Sequence, residues 1–462
     1  MSFVLGSPDK PYRIAIVGAG PAGFYTAIEL LKHTAHHLFV DMFERLPAPF
    51  GLVRHGVAPD HLSIKNVTSK YAAIFKSDRV RLFGNVQYGK DLFHEDLRHL
   101  YDAIVYTVGA QADRQMGVKG EFLPGSISAT EFVAWYNGHP DFVSLNPNLS
   151  ARAVAVIGMG NVALDVARIL AKSGDELHPS DMAQHALDAL RKSNVEDIYI
   201  VGRRGPVQAK WTLPELKEMG HLEVADLLVQ KEAMNLDPFS EVERLNDKSA
   251  AKNFAQMQFY AERPLADKPR RVHFRFWASP VEICETNGRV SCLRVEHTHL
   301  DNAGKLHGTG NFETIPVEMV LRSVGYKGVA LPGLPFDEVN GVVPNKKGKI
   351  LDPASGGLVL HEYVAGWIKR GATGVIGTNK MCGVETAHSV LEDLHHTAPR
   401  AFHQEDVADL LHRRKVKFIT FNDWQVLDEH EKEQGSVTGR PRIKVVEADK
   451  ALEIMMKKTE SG

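Results

Sequence analysis

Cysteine is scarce in this chain of 462 residues, with only three copies, Cys284, Cys292 and Cys382. None of them lies in a C-x-x-C pair, which excludes a local dithiol relay. So few cysteines also argue against a disulfide framework and against a zinc site. We therefore expect all three to have structural or incidental roles.

Long apolar runs and a strong net charge are also missing. The most apolar stretch, residues 12–31, is interrupted by Glu29, so we predict no transmembrane span. The net charge of −2 gives no reason to expect nucleic acid as a partner, and a charged partner would need a local patch. Residues 1–11 are too short and too weakly basic for a secretory signal or a transit peptide. A cytoplasmic location is expected, and a trimmed organellar protein stays open as an alternative.

A dinucleotide-binding fingerprint occupies the stretch YRIAIVGAGPAGFYTAIELL, residues 12–31. An apolar run predicts a buried strand, and the residues after the glycines recur at helical spacing. Gly18 permits the tight turn, Gly20 lets the backbone approach a pyrophosphate, and Gly23 lets helix and strand pack closely. The free amides at the helix N-terminus then face the phosphates. The alternative, a glycine-rich turn in a protein without a nucleotide, is disfavoured because strand and helix both match.

An acidic residue is expected at the end of the second strand, where it would bind a ribose hydroxyl. The next apolar run, residues 38–43, is followed directly by Glu44. The first site is therefore predicted to bind FAD.

The same plan returns in AVAVIGMGNVALDVARIL, residues 153–170, with Gly158, Gly160 and Ala163 at the three motif positions. Two nucleotide sites in one chain are the simplest interpretation. A duplication with one inactive site is the alternative.

The second site differs from the first at the end of its next strand. The predicted strand 197–201 is followed by Gly202, Arg203, Arg204 and Gly205 instead of an acid. A carboxylate would repel a 2′-phosphate, whereas paired guanidinium groups bind it in a bidentate manner. The second site is therefore predicted to bind NADP(H) rather than NAD(H). A solvated arginine pair is the alternative.

In the first half of the chain, the loop 46–66 is dense in proline and glycine, which indicates a functional loop rather than a linker. A helix is predicted over 65–76 and a buried strand over 102–108, ending at Gly109. Residues 80–88 read as a strand pair with a turn at Gly84-Asn85.

In the second half, 173–194 reads as a polar insertion and 253–298 as a β-rich region. Residues 211–232 predict a helix followed by a strand, and 319–325 predict a strand that returns to the first domain. Residues 340–351 predict a polar hairpin.

Toward the C-terminus, residues 363–367 predict a strand and 381–395 a helix. Gly374 and Gly377, before that helix, would let backbone amides face a ligand. The tail is predicted to contain one helix over 405–414 and irregular ends.

These elements predict an α/β protein with two Rossmann-like dinucleotide-binding domains. The length alone favours two or three domains. We expect residues 1–109 to begin the FAD-binding domain, 110–324 to form an inserted NADP-binding domain, and 325–462 to complete the FAD-binding domain with a C-terminal tail.

The chain resembles the adrenodoxin reductase type of NADPH–ferredoxin reductase, and its bacterial branch in particular, among the glutathione-reductase-like flavoproteins. Beyond the two glycine motifs, which many flavoenzymes share, the resemblance lies in PFGLVRHGVAPDH, VGRRGP, GWIKRGATGVIGTNK and FNDWQVLDEHE. Related disulfide reductases have Gly-Asp before their last FAD helix, whereas this chain has Gly366-Trp367, as the adrenodoxin reductase branch does. Without a C-x-x-C pair, electrons are expected to leave the flavin directly.

The resemblance implies which residues bind the cofactors. The FAD contacts it implies are Ala22, Glu44, Leu52, Val86, Trp367, Gly374, Val375 and Ile376. The NADP contacts it implies are Gly160, Asn161, Val162, Arg203, Arg204 and Glu215, with Gly374 near the nicotinamide. His61, Asp165 and Glu215 resemble the polar groups that family members keep around nicotinamide and flavin. As alternatives, His61 is a surface histidine, Asp165 complements the helix dipole, and Glu215 is a solvated charge.

The resemblance also implies the reaction: hydride passes from NADPH to FAD, and single electrons pass on to an acidic ferredoxin that supplies a monooxygenase or another redox enzyme. His61 and Glu215 would then position groups and handle protons. The cations Lys210, Arg270, Arg271 and Arg275 are candidates for ferredoxin docking, with an unpartnered basic hairpin as the alternative. A reductase of a quinone or another small acceptor, and a flavin redox sensor without turnover, stay open as alternative functions.

Overall fold

The computed structural model describes residues 6, 7, 10–33, 37–396 and 406–457. Two main sheets organise these residues. The first has seven strands, in the spatial order Asn345–Lys346, Lys349–Leu351, Leu358–Val364, Ala103–Tyr106, Tyr12–Val17, Leu38–Glu44 and Val80–Gly84. The second has six, in the order Ser126–Ser128, Met319–Arg322, Ala153–Ile157, Asp197–Val201, Arg270–Arg275 and Ala225–Val229.

Two smaller sheets complete the β-structure. Three antiparallel strands, Ala278–Thr286, Arg289–Leu300 and Leu306–Pro316, cover one face of the second sheet. The short strands Ala112–Asp113 and Tyr326–Lys327 pair with each other where the chain leaves the first sheet and where it comes back. The second sheet is therefore inserted into the first along the sequence, and the predicted α/β fold with an inserted dinucleotide domain is confirmed.

Helices lie over both sheets and in the tail. The α-helices are Pro21–Lys32, Leu52–His55, Leu62–Lys65, Val67–Ala72, His94–Leu100, Ala129–Tyr136, Asn161–Ala171, Gly174–Leu177, Gln184–Arg191, Leu213–Glu218, Pro238–Asn246, Lys248–Glu262, Trp367–Arg370, Ile376–Leu394, Val407–Arg413, Phe421–Val437 and Ala448–Lys457. Short 3₁₀ segments are Ala73–Lys76, Pro140–Phe142, Pro206–Gln208, Met219–His221 and Lys231–Met234. Among the described residues, no helix combines the length and apolarity needed to cross a bilayer.

Both faces of each main sheet are buried, as expected for parallel strands with layers on either side. In the strand Tyr12–Val17, Ile14 and Ile16 contribute to one core cluster and Ala15 and Val17 to another. The central strands consequently read as continuous apolar runs. This is why the predictions for 14–17, 38–43 and 197–201 fall on the observed strands Tyr12–Val17, Leu38–Glu44 and Asp197–Val201.

Several predictions for the first half of the chain are wrong in detail. Residues 80–88 form no strand pair, because only Val80–Gly84 is a strand and it pairs in parallel with Leu38–Glu44. Asn85 turns the chain with a φ of 58°, and Gly84 bridges to Ile419. The predicted helix 65–76 is divided into shorter helical segments.

The region 173–194 is not a polar insertion. It contains the helices Gly174–Leu177 and Gln184–Arg191, whose Leu177, Leu187 and Leu190 are buried in the core of the second domain. Its polar residues cover the outer face of amphipathic helices, a pattern that average polarity conceals.

The region 253–298 is β-rich from Arg270 on, as predicted, but it begins with a helix. Lys248–Glu262 is capped by Asp247 and buries Phe254, Met257 and Tyr260. In addition, Met319–Arg322 pairs with Ser126–Ser128 and Ala153–Ile157 in the second sheet. The return to the first domain therefore follows this strand instead of beginning with it.

The tail is more helical than predicted. Val407–Arg413 matches the predicted helix, whose first residue, Glu405, lies outside the described residues. The helices Phe421–Val437 and Ala448–Lys457 replace the predicted irregular ends. A capping box at Thr420 and Asp423 starts the longer helix, and this pattern was a readable signal in the sequence.

The cysteines also differ from the expectation. Cys284 and Cys292 face each other across adjacent antiparallel strands and form a disulfide, which the sequence analysis did not predict. Cys382 is a buried free thiol whose sulfur accepts a hydrogen bond from the backbone N–H of Gly366. Its role is structural, as expected.

A buried ionic network joins the two domains through the tail. Lys65 Nζ lies 2.6 Å from one carboxylate oxygen of Asp181, and Lys444 Nζ lies 3.3 Å from the other. Lys444 also donates to the carbonyl oxygens of Arg54 and Asn137. Burial lowers the pKa of Lys444 well below its usual value. One carboxylate thus neutralises two buried ammonium groups from different parts of the chain.

We predict that Asp181→Asn destabilises the protein by about 3–5 kcal/mol, because it leaves both ammonium groups buried without a counter-ion. Denaturant unfolding measures the effect. Asp141→Asn is the matched control, because the ion pair of Asp141 with Arg45 is solvent-exposed and should contribute less than about 1 kcal/mol. Equal shifts for the two variants would contradict the prediction.

Candidate functional site

The first glycine turn has no room for side chains at two of its positions. Gly18 has a φ of +110°, and a Cβ there would lie 2.8 Å from the carbonyl of Thr107. A Cβ at Gly23 would lie 2.2 Å from the Gly18 oxygen. The Thr107 hydroxyl donates to that same oxygen at 2.7 Å. These contacts hold the strand Tyr12–Val17, the turn and the following helix tightly together, as the motif predicts.

Gly20 has a different environment. A Cβ at Gly20 would meet no atom within 4 Å, so the missing side chain leaves open space next to the backbone. The helix Pro21–Lys32 begins there without a side-chain cap, which leaves its first amides available. Open space beside free amides is what a pyrophosphate needs.

Glu44 lies beside this turn at the end of its strand. One carboxylate oxygen accepts a hydrogen bond from the Ala19 N–H and the other from the Leu46 N–H, both at 3.1 Å. Burial raises the pKa of Glu44. A carboxylate has lone pairs beyond the two used here, so Glu44 keeps acceptor capacity for a ribose hydroxyl.

Three further residues that were predicted to contact FAD differ in how exposed their side chains are. Ala22 is buried on the first helical turn. Leu52 is 37% exposed, an apolar side chain with little cover from the chain itself. Val86 is buried against Phe43 and Phe83, and its N–H donates to the Glu44 carbonyl. Of the three, Leu52 offers the most free surface to a ligand.

The segment around Trp367 closes the first site from the other side. Gly366 has a φ of 79°, and a Cβ there would lie 2.6 Å from the Cβ of Ala22. The Trp367 Nε1–H is buried and has no hydrogen-bond partner among the described groups. A buried donor without a partner in the chain fits a bound cofactor.

The helix predicted over 381–395 starts earlier, at Ile376, and runs to Leu394. Gly374 and Val375 therefore lie directly before its N-terminus, and Val375 is 53% exposed. The positive end of this helix faces the same region as Trp367, so it can stabilise negative charge there.

The second glycine turn repeats the geometry of the first. A Cβ at Gly158 would lie 2.2 Å from the Ser323 carbonyl, whereas a Cβ at Gly160 would meet no atom within 4 Å. The Asn161 side chain accepts from the Thr212 N–H at 2.8 Å, and Val162 packs against the core of the domain. This turn therefore has the same open space for a second pyrophosphate.

Arg203 and Arg204 follow the strand Asp197–Val201, as predicted. Arg203 is exposed and Arg204 is half-buried. Over the described part of the chain, neither guanidinium has an ion-pair partner within 4 Å. Both are free to bind a phosphate at this strand end.

His61, Asp165 and Glu215, which come from three separate segments, lie together in the structure. His61 Nε2 is 3.5 Å from Glu215 Oε2, and the buried guanidinium of Arg168 is 2.9 Å from Asp165 and 3.7 Å from Glu215. The surface-histidine interpretation of His61 is wrong, since its side chain is only 7% exposed. Glu215 is likewise not a solvated charge.

Asp60, Arg168 and Glu218 complete this cluster, and sequence reasoning assigned none of them a role. Arg168 Nε and Nη2 each donate to Asp60 at 3.0 Å, and Lys172 binds Asp60 at 2.8 Å. His61 Nε2 lies 2.6 Å from Glu218 Oε2. Available signals were the i,i+3 spacing of Asp165 with Arg168 and of Glu215 with Glu218.

The cluster shifts the proton affinities of its members. Burial, reinforced by Asp165, raises the pKa of Glu215 to about 7. Burial alone would lower the pKa of His61, but the hydrogen bond to Glu218 and the nearby carboxylates raise it. The hydrogen bond from His61 lowers the pKa of Glu218. Near neutral pH this site can therefore hold and release protons.

A metal ion is a poor fit to the same cluster. His61, Glu215 and Glu218 place ligand atoms within 4.8 Å of one another. Arg168 Nη1, however, lies 3.4 Å from Glu218 and 3.7 Å from Glu215. The guanidinium already supplies the positive charge that a metal ion would bring.

The predicted docking arginines are engaged in contacts within the chain. Arg270 donates to the carbonyls of Leu170 and Lys172, and Arg271 binds Asp197 at 2.6 Å. Arg275 binds Glu313 at 2.5 Å. All three lie on an inner strand of the second sheet rather than on a hairpin, so the prediction of a free basic patch there is wrong. Lys210 is exposed, and among the described residues its ammonium group has no ion-pair partner within 4 Å.

We predict opposite pH effects for Glu215→Gln and Glu218→Gln. Because the pKa of Glu215 is raised by folding, the native protein binds more protons than the unfolded chain, and stability falls as pH rises through about 7. Glu215→Gln removes this loss, so the variant should gain stability relative to wild type, on the order of 2 kcal/mol between pH 5 and pH 8.

Glu218→Gln should lose stability relative to wild type as pH rises to about 5, because the pKa of Glu218 is lowered by folding, and should show little further change between pH 5 and pH 8. Denaturant unfolding at a series of pH values measures both variants. The same sign for both would contradict the assignment of these shifts.

Comparison with known proteins places this geometry in a family. Residues 12–202 match the model of the pyridine nucleotide-disulphide oxidoreductase family. NADPH-ferredoxin reductase FprA of Mycobacterium tuberculosis is 42% identical over 467 residues, covering 96% of this chain and 99% of that protein. The mitochondrial NADPH:adrenodoxin oxidoreductase of Arabidopsis thaliana is 41% identical over 462 residues, covering 96% and 95%.

A solved structure gives the same result. The structure of Mycobacterium tuberculosis FprA in complex with NADPH superposes with a TM-score of 0.91 at 41% identity, covering 97% of this chain and 100% of that one. Identities of this size along nearly the whole of each chain go with the two glycine turns, the arginine pair and the cluster between the domains. The protein therefore belongs to the family of NADPH-ferredoxin reductases and NADPH:adrenodoxin oxidoreductases.

Proposed function

We propose that this protein is an FAD-dependent NADPH:ferredoxin oxidoreductase. The observation that carries the proposal is the pair of open glycine turns at Gly20 and Gly160, which both lie beside free helix amides. The residues at the end of the following strand differ between the two turns and determine which dinucleotide each site prefers. Glu44 at the first turn suits the ribose of FAD, and Arg203 with Arg204 at the second suits the 2′-phosphate of NADPH.

We propose the domain boundaries on the basis of the sheets. Residues 1–109 and 325–462 form the FAD-binding domain, and 110–324 form the NADP-binding domain. The paired segments Ala112–Asp113 and Tyr326–Lys327, where the chain crosses between the sheets, support both boundaries. The strand Met319–Arg322, still in the second sheet, supports the later one.

The residues fit FAD in the first site. Gly18, Gly20 and Gly23 form the turn, and Ala22 and Glu44 lie beside it. The remaining contacts that we propose are Leu52, Val86, Trp367, Gly374, Val375 and Ile376. The uncovered side chains of Leu52 and Val375 and the unpaired Nε1–H of Trp367 support this assignment. Bound FAD would supply the conversion between a two-electron donor and a one-electron acceptor.

The residues fit NADPH in the second site. Gly158, Gly160, Asn161 and Val162 form the turn and the first helical residues. Arg203 and Arg204 bind the 2′-phosphate, and Glu215 lies at the nicotinamide end, with Gly374 opposite. The cluster around Arg168 supports this orientation, since it connects the second domain to the loop that carries His61.

His61, Asp165 and Glu215 act in positioning and in proton handling. The ion pair of Arg168 with Asp60 joins the two domains, and the contact with Asp165 on the same helix holds the guanidinium in place. Hydride transfer would require the reacting atoms of the two coenzymes to meet at about 3–3.5 Å. Glu215, with a pKa of about 7, holds a proton near neutral pH and can exchange it with His61. No covalent nucleophile is required.

The proposed acceptor is an acidic iron–sulfur protein of the ferredoxin type. A chain without a C-x-x-C pair offers no dithiol relay beside the flavin, and Cys382 is buried as an acceptor for Gly366. A basic surface for the acceptor must involve other cations than Arg270, Arg271 and Arg275. We also propose a cytoplasmic location, in which the Cys284–Cys292 disulfide would be open to reduction.

We predict that Gly20→Ala and Gly160→Ala separate the two cofactors. In each variant the added methyl group enters open space and leaves the fold intact, but it occupies the position of a pyrophosphate. Gly20→Ala should weaken FAD binding about tenfold or more, and Gly160→Ala should weaken NADP⁺ binding by a similar factor.

Apo-protein titration with FAD and difference-spectrum titration with NADP⁺ measure the two effects, and each variant is the control for the other. Circular dichroism checks the fold. Loss of both cofactors in either variant would argue against separate sites.

We predict that NADPH reduces the bound flavin rapidly and that NADH does so weakly, in anaerobic stopped-flow mixing. Arg203→Ala and Arg204→Ala should each raise the Kd for NADPH about 10- to 100-fold, since a charge-assisted hydrogen bond contributes about 1.5–3 kcal/mol. The affinity for NADH should stay unchanged.

Arg271→Ala is the matched control. Arg271 is paired with Asp197, which begins the strand Asp197–Val201, whereas Arg203 and Arg204 follow the other end of that strand. An equal response to NADPH and NADH would contradict the role of the arginine pair without affecting the assignment as a flavoenzyme. If neither NADPH nor NADH reduced the flavin, the result would favour a flavin redox sensor.

A further inference from the structure

Trp277 connects the second sheet to the three-stranded sheet, in a backbone conformation that tryptophan rarely adopts. It lies between the strands Arg270–Arg275 and Ala278–Thr286 and has a φ of 55°, in the left-handed region. A bulky residue is strained in this region, so the contacts around it must hold it there. The most direct of these contacts are with the arginine-bearing segment 202–205.

Both arginine carbonyls of that segment accept hydrogen bonds from this turn and the strand beside it. The N–H of Trp277 donates to the Arg204 carbonyl at 3.2 Å. The buried hydroxyl of Thr298 donates to the Arg203 carbonyl at 2.7 Å. Thr298 also holds the turn itself, because its N–H donates to the Trp277 carbonyl at 3.0 Å. These contacts use only backbone oxygens of the arginines, so they leave both guanidinium groups available to a ligand.

The indole of Trp277 covers Gly205, the residue that follows the arginine pair. A Cβ at Gly205 would lie 2.3 Å from the Cζ2 atom of the indole and 3.0 Å from its Cη2 atom. Gly205 has a φ of −79°, which any residue adopts. Glycine is therefore required here by the close approach of the ring and not by the backbone conformation. The arginine segment is held by hydrogen bonds at its centre and by the ring at its end.

We propose that Trp277 and Thr298 are positioning residues that determine the preference for a coenzyme with a 2′-phosphate. A bidentate contact between arginine and phosphate depends on the orientation of the guanidinium plane, and hence on the backbone that carries it. Trp277 and Thr298 hold this backbone before the coenzyme binds, which reduces the conformational freedom that is lost on binding. This inference rests on the proposed function, since it takes Arg203 and Arg204 to bind the 2′-phosphate of NADPH.

Thr298→Val removes the hydroxyl and keeps the size of the side chain. It should weaken binding of NADP⁺ to the FAD-loaded protein about 3- to 10-fold, the effect of one lost hydrogen bond. The Kd for NAD⁺ should change less than about twofold, because NAD⁺ has no 2′-phosphate. Difference-spectrum titration with each coenzyme measures the ratio of the Kd for NAD⁺ to the Kd for NADP⁺. Thr298→Ser, which retains the hydroxyl, should restore this ratio.

Gly205→Ala and Trp277→Gly test the contact of the ring with the segment. The methyl group of Gly205→Ala would displace the indole, and Trp277→Gly removes the indole while glycine adopts the left-handed turn without strain. Each variant should lower the ratio about 3- to 10-fold. In the double variant the methyl group has no ring to displace, so Gly205→Ala should then lower the ratio by less than a further twofold.

Thr309→Val is the matched control. The Thr309 hydroxyl donates to the His297 carbonyl at 2.9 Å, in the same three-stranded sheet but outside the arginine segment. This variant should keep the wild-type ratio, and circular dichroism checks that all variants are folded.

Four results would overturn the inference alone: an unchanged ratio in Thr298→Val or Trp277→Gly, equal weakening of both coenzymes, a failure of Thr298→Ser to restore the ratio, or fully additive effects in the double variant. Wild-type protein that binds NAD⁺ as tightly as NADP⁺ would instead contradict the proposed NADPH site itself.

Discussion

The buried guanidinium of Arg168 is the group on which the arrangement of the two domains depends. It is 1% exposed and belongs to the NADP-binding domain, yet its two-pronged partner, Asp60, lies on a loop of the FAD-binding domain. Within its own domain Arg168 already contacts Asp165, Glu215 and Glu218, and Asp60 adds a bidentate ion pair that exists only when the domains are packed against each other. This ion pair therefore links the burial of Arg168 to the packing of the two domains.

Burial and neighbouring carboxylates explain the chemistry around this charge. Burial, reinforced by Asp165, raises the pKa of Glu215 to about 7, although the charge of Arg168 acts in the opposite direction. His61, between Glu215 and Glu218, is held more readily in its protonated form. Two groups whose pKa values are raised therefore lie side by side in this cluster.

Features carried by consecutive residues could be predicted from the sequence, whereas features created by contacts between distant residues could not. The glycine turns, Glu44, and Arg203 with Arg204 were readable because each function is carried by consecutive residues between a strand and a helix. His61, Asp165 and Glu215 were identified only by resemblance, since their proximity is created by contacts across the domains. The helices 184–191 and 248–262 were missed because their apolar residues are few and separated, so the core that they cover decided their structure.

Coenzyme selection and hydride transfer depend on different kinds of contact. Selection of each coenzyme is local, because each glycine turn and the residues at the end of the following strand would bind their coenzyme in an isolated domain. Hydride transfer is not local, because it requires the two sites to face each other at contact distance. That relation is fixed by Asp60 with Arg168, by Asp181 between Lys65 and Lys444, and by the paired linkers. All of these contacts join residues far apart in the chain, so a sequence can name both coenzymes and still leave open how the domains hold them together.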